Sequence, residues 1–490
     1  MKKLYRFSAI ALLVLPLVFT SCSDYLDRDD DDNITEADVF ARYEKVNGLV
    51  SDVYAAAKKA DRPLVFFEHF SNSAITDECE GTNVEGNITN NFNNGAWNPN
   101  SLPGSVGQYW EALYEGIRKA NLIIENVQKY NTPDNPQQDG DLRNRIGEMY
   151  FMRGYFHMLL LRMYGEAPYI DRVINAGDNM DFKKESVHSM VEKIVTDAQT
   201  AYGMVPNKYV KTSENFGRVD KGACLGLISF VRWVAATPLW NGASQYGYNL
   251  RRVFENEYAY DATRWRKAKE AAKAVLDFEV GGTKRYSLYT KHDANDFKDP
   301  ADGNLNDSRV YARLWDMFYD MDAFANEYVF FMTKSKDQAW QGDIYPPSRE
   351  GSSRQQPVQE QVDEYEYIVG DYGYPVYSAE ARKGGYDDTN PYVKGTRDPR
   401  FYRDVIYHGA PYRNNKNESK TINTASGSDK IGATNATTTG YYLRKFQQES
   451  WNKSGNFSIN APAIWRLPEF IYIYAEACNE LGEDIDEAYK

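Results

Sequence analysis

Cysteine is scarce in this sequence, with four in 490 residues. No two of them form a Cys-x-x-Cys pair, and beyond Cys22 only Cys79, Cys224 and Cys478 remain. That is too few and too scattered for a disulfide framework. Histidine is nearly as scarce. His69, His157, His188, His292 and His408 share no ligand spacing such as HExxH. There is no phosphate-binding glycine loop, no GxSxG elbow and no dinucleotide fingerprint. No cofactor is therefore implied. Positive charge is also in deficit: the formal net charge is −13, which argues against a nucleic-acid partner. Acidic residues are too many to pick out the two carboxylates that a glycosidase holds at a fixed separation. Nothing in the sequence points to a reaction.

Aromatic residues, by contrast, are abundant: 38 tyrosines and 9 tryptophans, with aromatics at 14% of the chain. Tyr and Trp combine an apolar face with a polar handle and suit both cores and recognition surfaces. The length supports a large core and, by size alone, about two to four domains.

The one uncharged, mostly apolar run, Phe7 to Thr20, follows Lys2, Lys3 and Arg6. It is shorter than the roughly 20 residues that span a bilayer and reads as the core of an export signal. It ends in Val18-Phe19-Thr20-Ser21-Cys22. This resembles the bacterial lipobox, in which the cysteine is lipidated and becomes the new N-terminus. A plain signal peptide containing a cysteine is the alternative. Six of the ten residues from Ser23 to Asp32 are aspartate. Such a run stays solvated and suits a tether over 22–34. A calcium loop would need Gly at its sixth place and Glu at its twelfth, and both are absent.

The stretch Arg145 to Ile170 is the most helix-like and the most apolar. Ile146, Met149, Phe151, Met152, Tyr155, Phe156, Met158 to Leu161 and Met163 fill nearly the whole circumference, the mark of a buried helix. Gly165 and then Pro168 predict its end. Gly147 and Gly154 predict close approach of another helix, since each costs about 1 kcal/mol against alanine. His157 on this helix reads as a satisfied core histidine. Amphipathic helices are predicted from Thr35, over Val106–Tyr130, Ser186–Tyr202, Lys221–Ala236, Arg264–Leu276 and Ala461–Leu481. They read as helical pairs similar to tetratricopeptide repeats, without a strict period. Asp77 to Val106 is rich in Asn and Gly, lacks a helical period and reads as a long functional loop. Residues 277–460 are rich in Gly, Pro, Asp and Tyr, carry Trp315, Trp340 and Tyr345, and read as a loop-rich insertion in one body over 35–490. Within it, the polar run Asn414 to Thr439 reads as surface loop.

Six stretches, in this order and spacing, resemble the SusD/RagB family of Bacteroides-type nutrient-uptake lipoproteins. They are YWEALYEGIRKANLIIENV at Tyr109 to Val127, GEMYFMRGYFHMLLLRMYGEAPY at Gly147 to Tyr169 and GRVDKGACLGLISFVRWVAATPLW at Gly217 to Trp240. GTRDPRFYRDVIYHGAPY at Gly395 to Tyr412, YYLRKF at Tyr441 to Phe446 and RLPEFIYIYAEACNELG at Arg466 to Gly482 complete the set. The resemblance implies a mostly α fold, a tetratricopeptide-like scaffold with large irregular loops on one side. It implies a non-catalytic surface lipoprotein, lipidated at Cys22, its acidic tether resembling a surface-export signal. Such proteins cap a TonB-dependent outer-membrane barrel and capture a glycan or, in some members, a peptide. For the ligand site it points to Trp97 as a stacking platform with Asn98 and Asn100 beside it. Asp77 in the same loop and Trp315, Trp340 and Tyr345 downstream are the further candidates. The alternative for Trp97 is an indole folded back as a loop anchor. A surface glycoside hydrolase and a scaffold with only protein partners are the rival functions. Family members continue past NELG with a paired helix, so the C-terminus, ending in DIDEAYK, reads as truncated.

Overall fold

The computed structural model describes residues 35–60, 71–82, 88–98, 100, 104–130, 136–209, 215–243, 254–290, 317–318, 320–332, 342–393, 395–413, 419–446 and 463–490. Helices dominate. Those that bear on the stack and the site are, in chain order, α1 (Glu36–Phe40), α2 (Tyr43–Ala60), α3 (Ile88–Asn93), α4 (Gly104–Tyr130) and α5 (Pro136–Tyr164). Then come α6 (Val187–Tyr202), α7 (Lys221–Ala236), α8 (Ala262–Leu276), α9 (Leu467–Leu481) and α10 (Ile485–Ala488). The strands that matter for the site are β1 (Ile75–Thr76), β2 (Cys79–Gly81), β3 (Tyr328–Phe331), β4 (Gln355–Pro357) and β5 (Ala463–Arg466). The long helices stack in sequence: α2 on α4, α4 on α5, α5 on α6, α6 on α7, α7 on α8 and α8 on α9. This is the tetratricopeptide-like scaffold expected from the sequence.

Helix α5 is the core of the stack. Met149, Phe151, Met152, Tyr155, Phe156, Met158 and Leu160 are wholly buried. Because it is buried all round, its polar residues are buried as well and must be paired. Glu148 accepts from Tyr54, Arg145, Tyr209 and Arg218. His157 Nδ1 meets the Arg153 carbonyl at 2.8 Å, and its Nε2 accepts from the Ile170 amide at 3.0 Å. Burial, with Arg153 and Lys193 nearby, pushes its pKa down to about 3, so the imidazole is neutral. It is the satisfied core histidine read from the sequence. Gly165, at φ 72°, ends the helix as predicted. A Cβ on Gly147 would lie 2.6 Å from Met204 Cβ at the end of α6, the close approach expected there. Gly154 is different: its nearest neighbours would be at 3.5 Å, ordinary contact.

Four sequence readings change. The helix begun at Thr35 is two helices, broken at Ala41 and Arg42. Thr35 caps the first in a reciprocal capping box with Asp38. Nothing in the sequence marks the break, whose effect is to turn Phe40 into the core. The loop from Asp77 to Val106 contains β2 and α3, and α4 begins at Gly104. The last long helix starts only at Leu467, and Ala463–Arg466 instead pairs antiparallel with β3. Pro468 explains this, since proline fits only the first turn of a helix. Finally, the polar run up to Thr439 is not all surface. Ile422, Ala436 and Thr437 are buried, and the Thr437 hydroxyl accepts from the Thr439 and Gly440 amides.

Candidate functional site

Strands β1, β2 and β4 form a three-stranded antiparallel sheet in that order. Asp77 sits exposed in the turn between β1 and β2. Helix α3 packs against this hairpin. The Asn93 side-chain amide donates to the Ala74 carbonyl at 3.2 Å and to Glu80 at 3.4 Å. Ala74, Ile75, Ile88 and Phe92 make a small apolar cluster that includes Met163. The unit is therefore moored on the C-terminal end of α5.

Trp97 emerges from the end of α3. Gly95 at φ 62° reverses the chain, with its amide on the Phe92 carbonyl and the Ala96 amide on the Asn91 carbonyl. The Trp97 indole is 41% exposed and leans on Phe92, ring centroids 5.1 Å apart at 52°. One face is thus supported and the side chain stays open to solvent. Asn98 and Asn100 are exposed beside it, and Asn98 Oδ1 accepts from the Asn100 amide at 2.9 Å. The structure brings Trp97, Asn98, Asn100 and the Asp77 hairpin into one unit. Trp315, Trp340 and Cys22 lie outside the described residues.

Tyr345 is corrected. It is wholly buried, packed with Ile406, Ala410, Ile422 and Tyr442, and the Arg349 guanidinium lies 4.4 Å from its ring centroid. The ring is core and presents no face to a ligand. Its setting in a tyrosine-rich, glycine-rich stretch suggested exposure. The apolar partners come from 60 and more residues downstream, beyond the reach of a local reading.

One cavity adjoins the sheet, and a second shares part of its wall. The smaller, about 220 Å³, is lined by Ser71, Ser73, Glu78, Gln355, Gln361 and Tyr365 among others, and so abuts the Asp77 hairpin. Gln355 is held in place there, its side-chain oxygen accepting from the Ser71 amide and hydroxyl at 2.9 and 2.8 Å. The larger, about 450 Å³, lies at the start of α9 and is lined by Trp233, Phe318, Phe446, Arg466, Glu469 and Tyr472 among others. Lys445 and Phe446 line both. None of Lys445, Phe446, Arg466 and Glu469 stood out as site residues in the sequence. They sit in the fold-bearing stretches YYLRKF and RLPEF, and only the assembled fold shows what they face. Mixed polar groups over an apolar floor are what small-molecule sites require.

The comparisons with known proteins agree with this architecture. A family model described as starch-binding associating with outer membrane matches residues 24–231, and the SusD family model matches residues 320–490. The chain belongs to the SusD/RagB family, a carbohydrate-binding family associated with the outer membrane. It is 24% identical over 202 residues to SusD-like protein P2 of Formosa agariphila. That alignment covers 40% of this chain and 38% of the relative, less than half of its length. Among solved structures, a SusD-like protein of Bacteroides fragilis superposes with a TM-score of 0.69 at 18% identity, covering 92% of this chain and 78% of the other. A SusD-like carbohydrate-binding protein of the same species gives 0.65 at 14% identity, covering 91% and 75%. A laminarin-binding SusD-like protein gives 0.50 at 16% identity, covering 89% and 80%. At these identities the likeness concerns the fold.

Proposed function

We propose that the protein is a cell-surface lipoprotein, anchored through Cys22, that captures an oligosaccharide and passes it to a partner TonB-dependent outer-membrane barrel. Membership in a carbohydrate-binding, outer-membrane family supports this reading. The observation that carries it is the exposed Trp97, supported from behind by Phe92 and flanked by amides, on a unit that abuts a polar cavity. Sugars offer apolar C–H faces to an indole and hydroxyls to side chains such as Asn98, Asn100 and Asp77. Trp315 and Trp340 are further platforms in this reading. The protein binds and does not cleave.

Four experiments test it. Titration of the full chain with a panel of oligosaccharides should show binding without new reducing ends. Trp97→Ala should then leave the melting temperature unchanged and weaken binding about tenfold or more, since stacking on an aromatic contributes about 1–3 kcal/mol. A lower melting temperature, with binding lost only as folding is lost, would make Trp97 a loop anchor. For the anchor and partner, labelled palmitate should enter the wild type and not Cys22→Ala. Gentle detergent extraction from the native host should recover one large barrel protein in near-equal amount. Equal labelling, or a protein recovered alone, would count against this part of the reading.

A further inference from the structure

The larger cavity is lined by two ionisable groups of opposite sign that make no side-chain hydrogen bond or ion pair among the described residues. Lys445 Nζ lies 5.3 Å from the Phe446 ring centroid and makes no side-chain hydrogen bond or ion pair among the described residues, although Asp404 and Glu78 are near enough to favour its charge. Burial holds its pKa below the usual lysine value. Glu469, in the first turn of α9, likewise has no hydrogen bond or ion pair among the described residues. Burial raises its pKa to about 7, against the opposing pull of Arg162 and Arg466. The other charged groups here are engaged: Arg466 with Glu327 at 2.6 Å, and Glu476 with the Trp233 indole N–H at 2.7 Å. A desolvated ammonium without a partner is costly, so an anion that reaches it regains what burial removed. The remaining wall is apolar, with Trp233, Phe318, Phe446 and Tyr472 set among aliphatic side chains. Phe446 holds φ at 65°, an uncommon conformation for a bulky residue, and sits between the two cavities.

A ligand for this cavity needs an anionic acceptor, hydroxyls and a flat apolar face. A neutral sugar lacks the first, and a simple aromatic acid lacks the second. We propose that the captured glycan is acidic, and that the larger cavity receives a uronic acid residue. Its carboxylate meets Lys445, its hydroxyls meet Glu469, and its ring face lies on the apolar wall. A hydroxyl both donates and accepts, so it suits Glu469 whether ionised or protonated. Because Lys445 and Phe446 also line the smaller cavity, a chain of sugars has a continuous wall toward the Asp77 hairpin. The inference rests on the glycan-capture reading and narrows its ligand class.

The test is calorimetric titration of the full chain with tetramers of galacturonate, guluronate, mannuronate and glucuronate. Each is measured beside its carboxyl-reduced counterpart, together with neutral β-glucan tetramers and a tetrapeptide mixture. At least one uronate should bind tenfold or more tighter than its reduced form, the scale of one charge-assisted contact. Lys445→Met should bring that ratio close to one without lowering the melting temperature, and Lys445→Arg should retain it. If neutral glycans bind and no uronate exceeds its reduced form, the acidic-ligand inference falls and glycan capture stands. If peptides bind and no glycan does, both fall. A ratio that survives in Lys445→Met overturns the assignment of Lys445.

Discussion

Asp197→Ala should destabilise the protein by about 3–5 kcal/mol, the cost of leaving one partner of a buried ion pair uncompensated. Asp197 lies on α6 and faces Arg153 of α5, with side chains 6% and 8% exposed. The two make a bidentate pair, Nη2 to Oδ1 at 2.5 Å and Nε to Oδ2 at 2.7 Å. The Tyr169 hydroxyl donates to Oδ2 as well, at 2.7 Å. Arg153 is held on its other side by Asn121 and by the Asp171 carbonyl, each at 2.9 Å. Removing the carboxylate therefore strands a guanidinium that cannot lose its charge, and a phenol that loses its acceptor. Urea titration at neutral pH measures the effect. The control is the double change Arg153→Met with Asp197→Leu, which removes both charges and should cost markedly less. A single variant as stable as wild type would mean that water reaches Arg153 and that the α5–α6 contact is looser than described.

That pair also shows what a sequence can and cannot convey. The apolar circumference of α5 was legible because local periodicity records burial. Arg153 and Glu148 interrupt it, and their partners Asp197 and Arg218 sit 44 and 70 residues further along the chain. No local pattern joins them. Helix ends were legible where a single residue imposes them, as at Thr35 and Gly165. The strand ahead of α9 was also within reach, since Pro468 forbids an earlier helical start. The site was less legible. Trp97 could be picked out because its neighbours are Gly, Ala, Asn and Pro, which offer it no face to pack against. Tyr345 looked similar and is core. Lys445 and Glu469 were invisible, because their distinguishing property is that they line a cavity without a hydrogen bond or ion pair among the described residues, and that exists only in three dimensions.

Trp465→Ala should cost a similar 3–5 kcal/mol, and should weaken ligand binding although the indole need not touch a ligand. Trp465 is the centre of strand β5 and 2% exposed. Its ring meets Tyr155 of α5 at 5.9 Å, Phe230 of α7 at 5.7 Å and Phe330 of β3 at 5.7 Å. Gly226 of α7 makes room for this packing: a Cβ there would lie 2.9 Å from Val329 and 3.2 Å from Phe470. Truncating an indole in so tight a site leaves a void that rigid neighbours fill poorly, which sets the size of the loss. The flanking residues Ile464 and Arg466 line the larger cavity. With the indole gone, β5 loses its anchor to the helical stack, and the wall that places Arg466 and α9 loosens. Thermal melts should show the destabilisation. Titration well below the variant's melting point, with an oligosaccharide that wild type binds, should show weaker binding by a folded protein. Trp97→Ala should separate the two effects, losing binding and keeping stability. If Trp465→Ala binds as wild type does while melting earlier, the larger cavity lies outside the ligand's footprint, and the smaller cavity with Trp97 is the whole site.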